Sequence, residues 1–228
     1  MIGIIGAMEM ETAALAAAVE NKTTEVVSGV TYTSGLLDGQ EVVIATCGIG
    51  KVYAAICAQT MILRYHPTVI INTGVAGTLT TALGIGDVAV ASTLCQHDMD
   101  TSPIGDPIGL VSGINKIYFE ADREVSQKLA ACVEASGVKA QAGCIASGDQ
   151  FVATAEKKSF IRETFGAIAC EMEGAAIAHV ATVNGVPFAV LRAISDSADG
   201  DATMDYLSFA RMAAARSVSV LRSYLQSL

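Results

Sequence analysis

Short apolar runs of β type alternate with longer amphipathic or alanine-rich stretches along the whole chain. The runs fall at Ile2 to Ile5, Thr31 to Thr33, Val42 to Thr46, Val69 to Asn72, Val88 to Thr93, Gly143 to Ala146, Ile168 to Cys170 and Phe188 to Ala193. The pattern predicts helices over Glu11 to Glu20, Val52 to Tyr65, Asp122 to Ser136, Glu156 to Phe165, Gly174 to Val183 and Tyr206 to Leu225. Polar Asp201 and Thr203 stand where they can cap the last of these. Turn-like residues such as Leu37-Asp38-Gly39-Gln40 join the early runs, which predicts antiparallel meandering there. Alternation of strand and helix predicts one α/β domain over residues 1–228, a three-layer sandwich with a central mixed sheet and helices on both faces. The polar, Gly-containing stretch from His97 to Lys116 has no such pattern, and a loop of that length in a compact domain is more often functional than idle.

Three of the apolar runs end in acids. Met8-Glu9-Met10-Glu11 follows the first, Glu171-Met172-Glu173-Gly174 follows Ala167 to Cys170, and Ile194 to Asp199 (ISDSAD) follows Pro187 to Leu191. Carboxylates at strand ends of an α/β protein collect at one edge of the sheet, where ligands bind. Carboxylates flanking one pocket are the usual means of cleaving a glycosidic bond by acid/base chemistry, which predicts a hydrolase acting on a nucleoside. A single acid at a strand end is more often a helix cap, and Glu171 suits that role. Glu173 and Asp196 are flanked by Met172, Ala193 and Ile194, and such apolar enclosure raises a carboxyl pKa as a general acid requires.

Composition narrows the partners. The chain has 228 residues, 52% apolar and 16% charged, enough for a substantial core and unlike a disordered segment. A formal charge of -9 argues against nucleic-acid backbones and anionic membranes. Six cysteines form no CxxC pair, so free thiols are expected, and the N-terminal run lacks a basic flank and reads as a strand rather than a signal peptide. No run is long enough to cross a bilayer, and a cytoplasmic location is expected.

Other motifs are ambiguous. Cys47-Gly48-Ile49-Gly50-Lys51 fails as a phosphate loop, because Ala45 replaces a glycine and Val52 replaces the magnesium-binding hydroxyl; it is either a turn that lets backbone approach a ligand or a plain turn. Asn72 to Thr78 is either a flat ligand platform or a close helix–sheet contact. His97-Asp98-Met99-Asp100 finds no further ligand at metal spacing in His66 or His179. Phe151, in Ser147 to Val152, either stacks on a base or packs in the core.

Taken in order, GIIGAMEMET (Gly3 to Thr12), GIGK (Gly48 to Lys51), INTGVAG (Ile71 to Gly77), GDVAVAS (Gly86 to Ser92), ASGDQFV (Ala146 to Val152), EMEGAAIAHV (Glu171 to Val180) and LRAISDSAD (Leu191 to Asp199) resemble the 5′-methylthioadenosine/S-adenosylhomocysteine nucleosidases, within the nucleoside phosphorylase superfamily. The resemblance runs nearly end to end and implies a sheet partly closed into a barrel. It implies hydrolysis of the adenine N9–C1′ bond to adenine and a 5-thioribose product, with 5′-deoxyadenosine as a further substrate and no cofactor or metal. It assigns leaving-group protonation at N7 to Asp196 and water activation to Glu11. Glu173 would bind the ribose hydroxyls with Met172 along the sugar, and Phe151 would stack on adenine, with Val152 beside it and Ala76 and Gly77 lining the same site. Ser195 and Arg192 would support the acid and the water. Met8, Ile49, Tyr206 and Phe209 would line the ribose and alkylthio pocket. The family is dimeric, and the partner's segment from Thr101 to Ile104 would close it. Val75 departs from the family, in which many members carry serine beside the water.

Three alternatives follow from the same scaffold. Some relatives prefer 6-amino-6-deoxyfutalosine, and the segment from Asp106 to Asn115, which varies among them, lies where the 5′ substituent should be covered. A phosphorylase needs cations around phosphate, whereas Glu9 and Glu11 repel it and hold water. A nucleoside-binding sensor would have no use for a buried acid.

Overall fold

The computed structural model describes residues 1–196 and 206–228, the first two residues of the final helix by backbone only. In chain order the elements are β1 (Ile2–Gly6), α1 (Glu9–Ala18), β2 (Glu20–Val27), β3 (Val30–Leu37), β4 (Gln40–Thr46), α2 (Lys51–Tyr65), β5 (Val69–Thr78), β6 (Val88–Gln96), β7 (Tyr118–Glu120), α3 (Arg123–Ala135), β8 (Ala140–Ser147), α4 (Ala155–Phe165), β9 (Ala167–Glu171), α5 (Gly174–Asn184), β10 (Phe188–Asp196) and α6 (Tyr206–Gln226). The strands form one mixed sheet in the order β10-β6-β8-β9-β5-β1-β4-β3-β2, with β7 added beside β6. A further pairing of β10 with β5 closes β10, β6, β8, β9 and β5 into a five-stranded barrel, while β1, β4, β3 and β2 extend from it as an open wing. Closure removes edges that would otherwise expose unpaired backbone groups.

The central strands β1 and β10 are buried along their whole length, as continuous apolar runs in strands covered on both faces require. One core cluster joins the sheet to α2 and α5 through residues such as Ile5, Cys57, Met61, Ile70 and Ile177. A second, on the opposite face, joins it to α1, α3 and α6 through Ile4, Leu15, Leu129, Ala213 and Leu221. A third packs α4 on β8 and β9 through Ile161, Phe165, Cys144 and Ala167. The three layers are therefore those the alternation predicts.

Several boundaries differ from the sequence reading. The first helix stops at Ala18, and Glu20 opens β2, where a helix to Glu20 was expected. β2 is an edge strand paired only with β3, so no face needs apolar residues and its sequence, ENKTTEVV, carries no strand signature. The three-residue β7 was also unpredicted. The stretch read as a glycine-rich strand end, Asn72 to Thr78, is the second half of β5 and pairs with β10 and β9. The expected loop from His97 to Lys116 holds only a 3-10 turn at Ser102–Ile104 and a bridge between Val111 and Lys116. The proposed caps Asp201 and Thr203, and the motif residues at 197–199, lie outside the described residues.

Candidate active site

The ends of β1, β5, β9 and β10 and the starts of α1 and α5 converge on one open-mouthed cavity of about 660 Å³. Its lining includes Met8, Glu11, Ile49, Val75, Ala76, Gly77, Phe151, Val152, Met172, Glu173, Arg192, Ser195 and Asp196. Twelve of the fourteen predicted site residues are thus brought together. Phe209 lies half-buried on α6 and is not among the lining residues, and the Tyr206 side chain is outside the described residues. Glu9, expected to share in repelling phosphate, is exposed and not part of the lining.

Glu11 is fixed by backbone donors. It is the third residue of α1, and its Oε2 reaches back to accept from the Met8 amide at 2.9 Å and the Ala7 amide at 2.7 Å. This is the reach of a capping-box carboxylate, a geometry the sequence S/T-x-x-E rule would miss because Met8 holds the cap position. Its Oε1 accepts from the Val75 amide at 3.2 Å, tying α1 to β5. A side chain at Gly74 would collide with this carboxylate and with the Arg192 guanidinium, which is why glycine stands there.

Asp196 reaches the cavity through a break in strand register. Ile194 pairs with Ala76 and Asp196 with Gly77, so Ser195 is an extra residue in β10. Successive side chains of a regular strand point to opposite faces, but across this bulge Ser195 and Asp196 both line the cavity. The carboxylate lies on Gly77, where a Cβ would stand 2.9 Å from either oxygen. Lys158 of α4, unnoticed in the sequence, lies with its Nζ 3.3 Å from Asp196 Oδ2, both side chains buried. A polar helix face gives no sign that one lysine turns inward, so only the fold reveals it.

The third acid, Glu173, caps α5 and accepts from the Gly50 amide at 2.8 Å. Gly50 has φ +100°, a left-handed conformation open to glycine, so the GIGK turn does bring backbone to the site. Burial pushes the Glu173 carboxyl up to about 7; Arg192 opposes that rise and neighbouring Glu171 adds to it. Glu171 does serve the start of α5, accepting from the Glu173 and Gly174 amides at 3.0 and 2.8 Å, but it also forms a close ion pair with Arg192. Arg192, 1% exposed, further contacts Asn72 and lies 3.5 Å from Glu173 Oε2. Burial works against its charge, yet Glu171, Glu173 and Glu11 hold the guanidinium protonated, with its pKa above the ordinary value.

His97 and Asp98 belong to a different network. Asp98 pairs with Lys51 at 2.7 Å and accepts from the Asp149 amide, and no group of three or more metal-ligating side chains occurs among the described residues. All six cysteines are free thiols.

The arrangement places anions around a cavity whose one lining cation, among the described residues, is already paired with two carboxylates. Such a site favours a substrate that becomes cationic and offers no unpaired positive charge to an incoming phosphate. Residues 1–226 match the model of the phosphorylase superfamily. A 5′-methylthioadenosine/S-adenosylhomocysteine nucleosidase of Shewanella sp. (strain W3-18-1) is 38% identical over 228 residues, covering 100% of this chain and 99% of that protein. The corresponding nucleosidase of Neisseria meningitidis, solved with methylthio-immucillin-A, superposes with a TM-score of 0.94 at 34% identity, over 100% of this chain and 99% of that one. A futalosine hydrolase of Helicobacter pylori superposes with a TM-score of 0.93 at 36% identity, over 100% and 97%. The chain belongs to the 5′-methylthioadenosine/S-adenosylhomocysteine nucleosidases of the phosphorylase superfamily.

Proposed function

We propose that this protein hydrolyses the N-glycosidic bond of 5′-methylthioadenosine and S-adenosylhomocysteine, and of 5′-deoxyadenosine, with Asp196 as acid and Glu11 as base. The observation that carries this reading is that Glu11 and Asp196 line one cavity, held two residues apart along β5 at Val75 and Gly77. A purine stacked on Phe151 would present N7 to Asp196, whose proton makes adenine a neutral leaving group. The sugar passes through an oxocarbenium-like transition state that the carboxylate of Glu11 and the ionised form of Glu173 favour. Water held by Glu11 and Arg192 adds to C1′, gives a proton to Glu11, and yields the 5-thioribose product. Protonation and base assistance are each worth roughly 10²- to 10⁴-fold.

Glu11 also decides the nucleophile. Its carboxylate is buried in the cavity lining, and with the purine at Asp196 it would face the sugar, where phosphate would have to be accommodated. Adenine release is therefore expected at the same rate with and without inorganic phosphate; strict phosphate dependence with formation of ribose 1-phosphate would reverse the choice. Stoichiometric adenosine binding with no adenine released would instead support a sensor. The futalosine hydrolase among the solved relatives keeps aminofutalosine in the substrate panel.

The functional unit we infer is a homodimer in the cytoplasm. Ile49, Val52 and Tyr53 around the start of α2 and Phe151 at the cavity mouth give this side an apolar surface, and Ile104 is itself 82% exposed. A second copy would cover it and bring its own Thr101 to Ile104 to the pocket. Light scattering should give twice the chain mass and Val52→Glu the single mass; a monomeric parent protein would refute the dimer. Free thiols suit a reducing compartment. No helix among the described residues is long and apolar enough to cross a membrane.

A further inference from the structure

Asp196 is half of a buried ion pair. Lys158 is 5% exposed and Asp196 6%, with Lys158 Nζ 3.3 Å from Asp196 Oδ2. On the other oxygen, Oδ1, the Ser195 hydroxyl stands 3.5 Å away, and Gly77 backbone lies beneath the carboxylate. Among the described residues, the other titratable groups around it are Cys170 of β9, whose thiol is pushed up to about 12 by burial and then by Asp196, and those that share its cavity, Glu11 of α1, Glu171 of β9, Glu173 at the start of α5 and Arg192 of β10. Among the described residues, Lys158 alone makes a salt bridge to Asp196.

This pairing opposes the demand of acid catalysis. An acid must carry a proton to give one to the leaving base, whereas an ammonium within hydrogen-bonding distance of a buried carboxyl favours the carboxylate. We propose that Lys158 keeps Asp196 ionised in the empty site, so that binding of a purine whose N7 faces Asp196 is coupled to uptake of one proton from solvent. Lys158 is then a positioning residue acting through Asp196, and it loads the acid only when a base able to take the proton is present. The inference rests on Asp196 being the acid. The captured proton passes from Asp196 to N7 as the N9–C1′ bond breaks and its electron pair leaves with adenine. Water adds to C1′ and loses one proton to Glu11, which returns it to solvent. The net reaction consumes only substrate and water.

The pH dependence of kcat/KM for adenine release tests this directly, because its alkaline limb reports the acid in the free enzyme. In Lys158→Met the limb should move to higher pH by about one unit or more, while Lys158→Arg keeps it near the wild-type position. Calorimetry in buffers of different ionisation enthalpy supplies a second measure, with methylthioadenosine bound to Glu11→Gln so that hydrolysis is slowed. At a pH between the two limbs, most of a proton should be taken up per nucleoside by the enzyme that keeps Lys158, clearly less by Lys158→Met, and none with the 7-deaza analogue, which has no N7 acceptor. An unmoved limb in Lys158→Met, or equal uptake with and without Lys158, overturns the proposal. If Lys158→Met does not fold, equal uptake of protons with methylthioadenosine and with its 7-deaza analogue overturns it. Full adenine release by Asp196→Asn would remove the acid itself, and so the parent reading; loss of release in that variant with an unmoved limb in Lys158→Met removes only the role of Lys158.

Discussion

The Gly50 amide donates to Glu173 Oε1 at 2.8 Å, so a residue at the start of α2 holds an acid at the start of α5, 123 positions away in sequence. One amide and a guanidinium 3.5 Å from the other oxygen do not offset the loss of water, and the carboxyl rises from 4.5 to about 7.

That rise predicts a signature in stability. The folded protein holds the Glu173 proton to higher pH than the unfolded chain does. The group's stabilising contribution is therefore complete below about 4.5 and is lost as pH rises through about 7. The cost of ionising it in place is on the order of 3 kcal/mol. Glu173→Gln should flatten the fall in stability between those two pH values, read by urea unfolding at a series of pH. Parallel curves for both proteins would contradict the shift.

Gly77 predicts a loss of activity without a loss of fold. A methyl there would stand 2.9 Å from both Asp196 oxygens and displace the carboxylate from the base. Gly77→Ala should lower kcat by about a hundredfold, as small misplacements of a reacting group do, with little change in melting temperature. A near-normal kcat would mean that Asp196 need not lie against β5.

Removing Arg192 should do the reverse and damage the fold first. Arg192→Met leaves Glu171 and Glu173 buried without their cation, a loss of about 3–5 kcal/mol. For a chain of this size that lowers Tm by on the order of 10 °C. The double variant Arg192→Met/Glu171→Gln should recover part of it. A Tm within experimental error of wild type would show the pair to be dispensable.

Sequence pattern reached the layers and the acids by different routes. Helices with a clear apolar face, such as α3, and strands buried on both sides, such as β1 and β10, were legible because burial imposes their composition. β2 was not, since an exposed edge strand is under no such demand. The extension of β5 through Asn72 to Thr78 was hidden by its glycines, which are there to let Glu11, Arg192 and Asp196 approach the backbone. Glu11, Glu173 and Asp196 were found because acids that end apolar runs are unusual. Glu171 was underestimated: its neighbours in sequence suggest a cap, while Arg192 and Ser147 come to it from other strands. The bulge at Ser195 and the inward turn of Lys158 depend on long-range packing and leave no local trace.

The decisive measurement is adenine release from methylthioadenosine, in phosphate-free buffer, by the wild-type protein and Asp196→Asn at matched folded concentration. Release by the wild type, with a rate in Asp196→Asn lower by roughly 10²-fold or more but nucleoside still bound, is the expected result. Near-equal rates in the two proteins would contradict proton donation from the end of β10.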